Sequence, residues 1–218
     1  MGQDNTNNPP SVKPTPACGD WERRPLRAAI LVGGRSLRMG VDKAGLPLDG
    51  ATMLRSAVER VRPSTPRIAL IGECSGIDPI PDTTQLDDAP GVAGPMAGIL
   101  AALQHDGTCD WLVLACDMPL AGAEAIDWLI ARHTPAAAAT LARLPDCEYP
   151  EPLLAIYSTG ALPVLRSAVA RGESALHRAL KRMDAAVHAA PVDIARQWLN
   201  INTPEQWQEF RARSTPPP

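Results

Sequence analysis

Two glycines and three cationic residues follow a short apolar run near the start of the chain. The run, residues 28–32, is too short for a helix and predicts a buried strand. Gly33 and Gly34 then let the backbone turn tightly and present N–H groups to a ligand. Cations follow at Arg35, Arg38 and Lys43. Together these features predict a phosphate site, although the glycines alone are equally typical of an ordinary turn.

A single aspartate at the end of the most apolar stretch is the second candidate. Residues 111–116 predict a central parallel strand, and Asp117 follows directly, just before Met118 and Pro119. Ligands of parallel sheets bind beyond the carboxyl ends of the strands. Mg²⁺ commonly binds through one or two carboxylates together with substrate phosphates, so Asp117 is a candidate metal ligand. The alternative is a turn aspartate that caps the next helix.

Strand-like and helix-like segments alternate around these residues. We predict strands at 28–32, 67–71, 111–116, 153–157 and 186–192, and helices at 52–61, 95–103, 123–133, 162–170 and 174–183. This order predicts an α/β fold, a single-domain Rossmann-like three-layer sandwich with a mostly parallel central sheet. Such a sheet would bring the glycine loop and Asp117 to the same edge.

A last helix is predicted from Thr203, with Pro204 in its first turn and Gln206 placed for a capping box. Just before it, Asn200 and Asn202 are two residues apart. In an extended segment they face the same way, so their amides can point at one ligand. Helix capping is an equal alternative for Asn202.

The chain length of 218 residues suits one domain, which we place at residues 27–213. Residues 1–26 are rich in proline and polar residues and predict a disordered tail, and residues 214–218 predict a loose end. The net charge of −3 provides no global basic field for nucleic acid. The chain has five cysteines and no C-x-x-C pair, which argues against disulfides and zinc and favours reduced thiols in the cytoplasm. We see no membrane-spanning run and no secretory signal.

The string at residues 31–43, LVGGRSLRMGVDK, resembles the signature L-x-G-G-x-S-x-R-M-G-x-D-K of the nucleotidyltransferases that include the molybdenum cofactor guanylyltransferases. The matching residues are Leu31, Gly33, Gly34, Ser36, Arg38, Met39, Gly40, Asp42 and Lys43. Residues 116–119, CDMP, resemble the family's C-D-x-P element, whose aspartate binds Mg²⁺ and the nucleotide phosphates. Asp87 and the later GPMAGI string resemble D-(x)6-G-P-L-x-G-I, in which the aspartate contacts the nucleotide, although these glycines also suit a tightly packed helix start.

The resemblance implies a fold of the nucleotide-diphospho-sugar transferase type and a Mg²⁺-assisted transfer of GMP from GTP to molybdopterin or molybdenum cofactor. The implied nucleotide contacts are Leu31, Gly33, Gly34, Arg35, Lys43, Asp87 and Asp117, and the implied catalytic residues are Lys43, Asp117 and Arg38. Asp117 would hold the metal. Molybdenum-insertion and molybdoenzyme maturation proteins are the implied partners. The open alternatives are a sibling transferase that uses CTP or a sugar 1-phosphate, and a catalytically silent nucleotide-binding protein.

Two further strings resemble family segments around the acceptor. LNINTPEQW, with Asn200 and Asn202, resembles V-N-x-N-T-P-E near the active site and implies acceptor or active-site contacts rather than metal ligation. PLLAIY resembles the segment that shapes the acceptor pocket, but many members have Gln or His before it where this chain has Glu151. A carboxylate there would repel an anionic acceptor. A cluster of basic residues is either a patch for a phosphorylated pterin or, as we favour, a solvated helix face: Arg171, Arg178, Lys181 and Arg182.

Overall fold

The computed structural model describes residues 24–32, 43–48, 50–73 and 77–214. Strands in these residues are β1 (Leu26–Leu31), β2 (Pro47–Leu48), β3 (Ala51–Thr52), β4 (Ile68–Ile71), β5 (Thr83–Leu86), β6 (Asp110–Ala115), β7 (Ala139–Arg143), β8 (Glu151–Tyr157) and β9 (Ala185–Ala189). Helices are α1 (Met53–Val61), α2 (Pro95–His105), α3 (Ala123–Ala131), α4 (Ala161–Ala170), α5 (Leu176–Leu180) and α6 (Pro204–Ser214). None of these helices is long and apolar enough to cross a bilayer.

Seven of the described strands form one sheet in the order β5-β4-β1-β6-β8-β7-β9. All are parallel to their neighbours except β8, which is antiparallel to both β6 and β7. In the two central pairs, Leu114 of β6 lies opposite Ile30 of β1 and opposite Leu154 of β8. The expectation of a mostly parallel central sheet is therefore confirmed.

The helices cover both faces of the sheet and produce the predicted three layers. Ala28 and Ile30 face one apolar cluster, which includes the buried residues of α3 and all those of α1 except Met53. Ala29 and Leu31 face a second cluster, formed with α2, α4 and α5. This alternation follows from the two-residue period of a strand that is buried on both sides.

A smaller third cluster attaches the C-terminal helix to the β2–β3 hairpin. Its buried members are Leu48, Met53, Ile201 and Trp207. The α6 helix starts with the predicted capping box: Gln206 N donates to Thr203 Oγ1 at 3.3 Å, and Gln206 Oε1 accepts from the backbone N–H groups of residues 202 and 203. These contacts fix the chain just before α6.

Several element predictions differ from the structure. The sequence did not predict β5, β7 or the β2–β3 hairpin, because β5 is a polar edge strand and β7 is rich in alanine. The helix predicted at 174–183 is only the short α5, since residues 181–184 form a turn before β9. The strand predicted at 186–192 is β9, which ends before Pro191, a residue that lacks a backbone N–H.

The first strand begins and the last helix ends within one residue of the domain bounds predicted at 27–213. Leu26, assigned to the tail, is the first residue of β1, and the Arg24 guanidinium bonds Asp110 Oδ1 at 2.8 Å. At the other end, α6 continues to Ser214. Of the disordered tail predicted at 1–26, residues 1–23 lie outside the described residues, as do residues 215–218 of the loose end predicted at 214–218.

Candidate active site

The candidate residues lie at one end of the sheet. The carboxyl ends of β1, β4, β5 and β6 lie there, together with the amino end of the antiparallel β8. This end of the sheet carries Lys43, Asp87, Asp117 and Glu151. The remaining loop candidates lie outside the described residues, and their roles stay predictions: Gly33, Gly34, Arg35 and Arg38.

The Lys43 ammonium joins three parts of the chain. Its Nζ donates to Asp117 Oδ2 at 2.9 Å, to the Ile201 carbonyl at 2.7 Å and to Asn202 Oδ1 at 3.2 Å. The side chain is 14% exposed and starts a short 3₁₀ helix, Lys43–Gly45. Because an ammonium has three protons, these three acceptors satisfy it completely. Lys43 thus brings a positive charge to the turn after β6.

Asp117 is fixed from several directions. Its carbonyl accepts from Ile201 N at 2.9 Å, and the Arg60 guanidinium donates to the carbonyl of Pro119 in the same turn. Its Oδ2 accepts a hydrogen bond from Lys43 Nζ, but its Oδ1 is buried and has no hydrogen-bond partner in the described part of the chain. A buried carboxylate oxygen without a partner is costly, and a hard cation is the kind of group that it prefers. Asp117 therefore fits a divalent metal.

The segment before α6 reaches the site because two side chains anchor it. Gln197 Oε1 accepts from the N–H groups of Gly122 and Ala125 at the start of α3, and the buried Trp198 donates Nε1 to the Leu154 carbonyl at 3.1 Å. These bonds hold residues 200–202 against the turn that contains Asp117.

The two predicted amides have different surroundings. Asn202 Oδ1 accepts from Lys43, whereas Asn200 Oδ1 is buried without a hydrogen-bond partner in the described ranges. The structure thus brings Asn202 to the Lys43–Asp117 pair. The acceptor or active-site contacts of both residues stay predictions.

Glu151 lies at the same end of the sheet as the candidate site. The sequence identifies it only as a departure from the family pattern. Glu151 lies three residues before Leu154 in β8, and Asp117 lies three residues after Leu114 of the adjacent β6, so both residues are at the same end of the sheet. Glu151 Oε1 accepts from Leu153 N at 3.0 Å. Partial burial, and then the charge of Asp117, raise the pKa of the Glu151 carboxyl. Its position could have been found only by knowing that β8 pairs with β6.

Asp87 lines a cavity of about 820 Å³ beside the ends of β4 and β5. Asp87 and Asp88 follow β5 directly, and Gln85 Nε2 donates to the Gly72 carbonyl at 2.5 Å on the cavity wall. Burial, and then the charge of Asp87, raise the pKa of Asp88. The cavity has the size of a small-molecule pocket and offers carboxylate acceptors to a ligand.

The glycine-rich start of α2 packs tightly against the end of β1. Gly94 adopts a φ of 71°, and a Cβ on Gly98 would lie only 2.7 Å from Leu31 Cδ2. Leu31 is a buried core residue, so its proposed nucleotide contact stays a prediction. The interpretation of this string as a tightly packed helix start is confirmed.

The basic cluster contacts other side chains. Arg171 and Arg182 both pair with Glu173, and Lys181 lies 4.9 Å from the ring centre of Tyr149. In the described residues, none of these cations contacts Lys43 or Asp117. Binding of a phosphorylated pterin by this cluster has no support from these contacts.

Comparisons with known proteins identify relatives of this chain. The profile of the MobA-like NTP transferase domain matches residues 28–188. The chain is 31% identical over 182 residues to a probable molybdenum cofactor guanylyltransferase of Flavobacterium johnsoniae, covering 84% of this chain and 88% of that protein. It is 32% identical over 202 residues to the molybdenum cofactor guanylyltransferase of Sinorhizobium fredii, again covering 84% and 88%.

A solved structure shares the fold. The molybdopterin-guanine dinucleotide biosynthesis protein A of Archaeoglobus fulgidus superposes with a TM-score of 0.70 and 25% sequence identity. The match covers 86% of this chain and 99% of that one. The sheet and helices described above therefore form the same fold as this solved structure.

Proposed function

This chain belongs to the MobA-like NTP transferase domain family, and we propose on that premise that it transfers GMP from GTP to molybdopterin or molybdenum cofactor. Membership makes it a nucleotidyltransferase. The names of its relatives, which are molybdenum cofactor guanylyltransferases, support GTP as donor and a pterin cofactor as acceptor. We also propose that the protein works in the cytoplasm with molybdenum-insertion and molybdoenzyme maturation proteins as partners.

The main observation that supports the proposal is the contact of Lys43 with Asp117 at the carboxyl ends of the parallel strands. The pair places an ammonium and a carboxylate, both largely buried, where parallel sheets bind their ligands. Phosphoryl chemistry needs positioning and neutralisation of charge more than covalent help from the protein. The described residues contain the groups for that task.

In the proposed reaction, an oxygen of the acceptor's terminal phosphate attacks the α-phosphorus of GTP. A new P–O bond forms to the acceptor, the bond between the α-phosphorus and the bridging oxygen breaks, and pyrophosphate leaves with the electron pair. Lys43, with Arg35 and Arg38 of the preceding loop, would neutralise the triphosphate. For Lys43 to reach a phosphate, it must give up at least one of its present acceptors.

We propose that Mg²⁺ binds at Asp117. The Oδ1 of this residue is buried and has no hydrogen-bond partner among the described residues, and it fits a hard cation. The metal, when bound, would neutralise charge on the phosphate oxygens. Asp117 would orient that charge through Oδ1 while its Oδ2 keeps Lys43 in place.

The acidic cavity supports guanine as the base. Guanine presents two adjacent donors, N1–H and the 2-amino group, to which a carboxylate can bind with both oxygens. Asp87 and Asp88 line the cavity and are such acceptors. Cytosine has only one amino donor and lacks this paired edge, so CTP is the second candidate rather than the first.

Thermal stabilisation by the four ribonucleoside triphosphates, with and without Mg²⁺, tests this proposal. A ligand that binds only the folded protein raises its melting temperature by mass action. We expect a selective rise with GTP that is larger with Mg²⁺. A rise with CTP instead would assign the protein to the sibling branch, and a rise with GTP but no turnover would favour a silent nucleotide-binding protein.

A further inference from the structure

We infer that Glu151 is a second carboxylate which, together with Asp117, holds the divalent cation of this site. The inference rests on the proposed nucleotidyl transfer and names a further residue for it. Glu151 is the first residue of β8, three residues before Leu154, and Asp117 follows the adjacent β6, three residues after Leu114, so both lie at the same end of neighbouring strands. Neighbouring strands lie about 4.8 Å apart, so side chains at the same end of adjacent strands are close enough to interact.

Two carboxylates at the same end of adjacent strands need a compensating positive charge. Like charges on neighbouring strands are destabilising, and partial burial increases the cost. Lys43 provides one positive charge, but all three of its protons are used by Asp117, Ile201 and Asn202. In the described ranges, no hydrogen bond or ion pair links a cationic side chain to Glu151. A divalent cation would supply the missing charge.

The oxygens at the site match such a cation. Asp117 Oδ1 is buried and unpartnered in the described part of the chain. Glu151 commits Oε1 to the N–H of Leu153, which fixes the carboxylate and leaves Oε2 without a described hydrogen bond. Mg²⁺ and Mn²⁺ bind through one or two carboxylates plus water and phosphate oxygens. In this arrangement Glu151 no longer repels an anionic acceptor, because the cation offsets its charge.

Binding of Mn²⁺ to the GTP-bound protein, without acceptor, tests the inference independently of turnover. Free Mn²⁺ is quantified by its electron paramagnetic resonance signal in the wild type and in Glu151→Gln. The amide that this substitution introduces keeps an oxygen for Leu153 N but removes the charge. We expect the Mn²⁺ affinity to fall at least about tenfold, with GTP affinity in the absence of metal unchanged.

The matched control is Glu148→Gln, which removes the same charge from an exposed residue of the loop before β8. It should leave Mn²⁺ affinity unchanged, and an equal loss in both variants would overturn the inference. If Asp117→Asn lowers Mn²⁺ affinity but Glu151→Gln does not, the inference is wrong while the proposed function stands. If the wild type with GTP binds no Mn²⁺, the proposed metal site fails, and the role of Glu151 fails with it.

Discussion

Lys43 Nζ lies 2.9 Å from Asp117 Oδ2, although the two residues are 74 positions apart in the chain. Lys43 belongs to the loop after β1 and Asp117 to the turn after β6, and these strands are neighbours in the sheet. Their pairing brings the two family motifs into one site. It also fixes the segment before α6, because Lys43 bonds Ile201 and Asn202 as well.

Replacing Lys43 by alanine should weaken GTP binding. The variant removes a largely buried ammonium. A hydrogen bond that involves a charged group is worth about 1.5–3 kcal/mol, so losing one such bond to a phosphate should lower GTP affinity about 10–100-fold. Isothermal titration of GTP measures the change. Lys181→Ala, an exposed lysine above Tyr149, serves as the control. Unchanged affinity in Lys43→Ala would remove its phosphate role.

The variant Asp117→Asn should be folded but inactive. The substitution keeps the shape of the side chain and removes the charge that would hold both the metal and Lys43. We expect the rate of transfer to fall at least about 100-fold, the size of effect seen when one preorganised electrostatic group is lost. Pyrophosphate release gives the rate, and circular dichroism checks the fold. A variant with most of its activity would disprove the metal assignment.

The variant Asp87→Asn should reduce discrimination between GTP and ITP, which lacks the 2-amino group. If Asp87 accepts from that group, the wild type prefers GTP and the variant loses about 1–3 kcal/mol of the preference. Competition binding of the two nucleotides measures it. Asp82→Asn is the matched control, because Asp82 is exposed and its φ of 57° suits asparagine. An unaltered preference in Asp87→Asn would place guanine recognition elsewhere.

Replacing Glu151 by glutamine should stabilise the protein at neutral pH when no divalent cation is present. Burial and Asp117 raise the pKa of Glu151 in the folded protein above its unfolded value. The folded state therefore holds this proton more tightly, and stability is lost as the pH rises through the folded pKa. Glutamine avoids that loss.

Melting temperatures of the wild type and Glu151→Gln in a chelator, measured from pH 8 downwards, check this expectation. The advantage of the variant should shrink as the pH falls toward the unfolded glutamate pKa of about 4.3. Equal melting temperatures at pH 7 would contradict a close approach of the two carboxylates.

Arg24→Ala should destabilise the protein without altering GTP binding. Arg24 donates hydrogen bonds to the buried Asp110, the Thr159 hydroxyl and the Pro135 carbonyl. These contacts lie at the amino end of β6, which is the end of the sheet opposite the site. A buried charged group that loses a hydrogen-bond partner costs about 1–3 kcal/mol, and because the Arg24 side chain is itself 33% exposed and Asp110 keeps its contact with His133, we expect a loss of about 2 kcal/mol. Urea unfolding measures the loss, with the exposed Arg67→Ala as control. A change below that of the control would show that Arg24 does not anchor the strand.

The sequence predicted the fold well where apolar periodicity is strong. β1 and β6 each contain a run of at least four consecutive apolar residues, and α1 has its buried residues on one face, so their types and positions follow from local pattern. β5 has no such pattern, because an edge strand with polar residues TTQL has little to bury. The motifs identified Lys43, Asp87 and Asp117 by type, but they carry no distances.

The relationships that matter in the site depend on pairing across the sheet. Glu151 lies at the same end of the sheet as Asp117 only because β8 runs antiparallel beside β6, and no local pattern in residues 151–157 indicates its neighbour. Likewise, the bond from Lys43 to Asn202 depends on how Gln197 and Trp198 anchor the preceding segment. Such contacts arise from tertiary packing, which outweighs local propensity.

The most direct test of the proposed function follows the α-phosphate of the nucleotide. The purified protein is incubated with Mg²⁺, a molybdopterin acceptor and either GTP or CTP labelled at the α-phosphorus. We expect label from GTP to appear in a pterin dinucleotide, with release of unlabelled pyrophosphate, and the Asp117→Asn variant to form none. No labelled dinucleotide from GTP, or label incorporated from CTP in preference to GTP, would contradict the assignment.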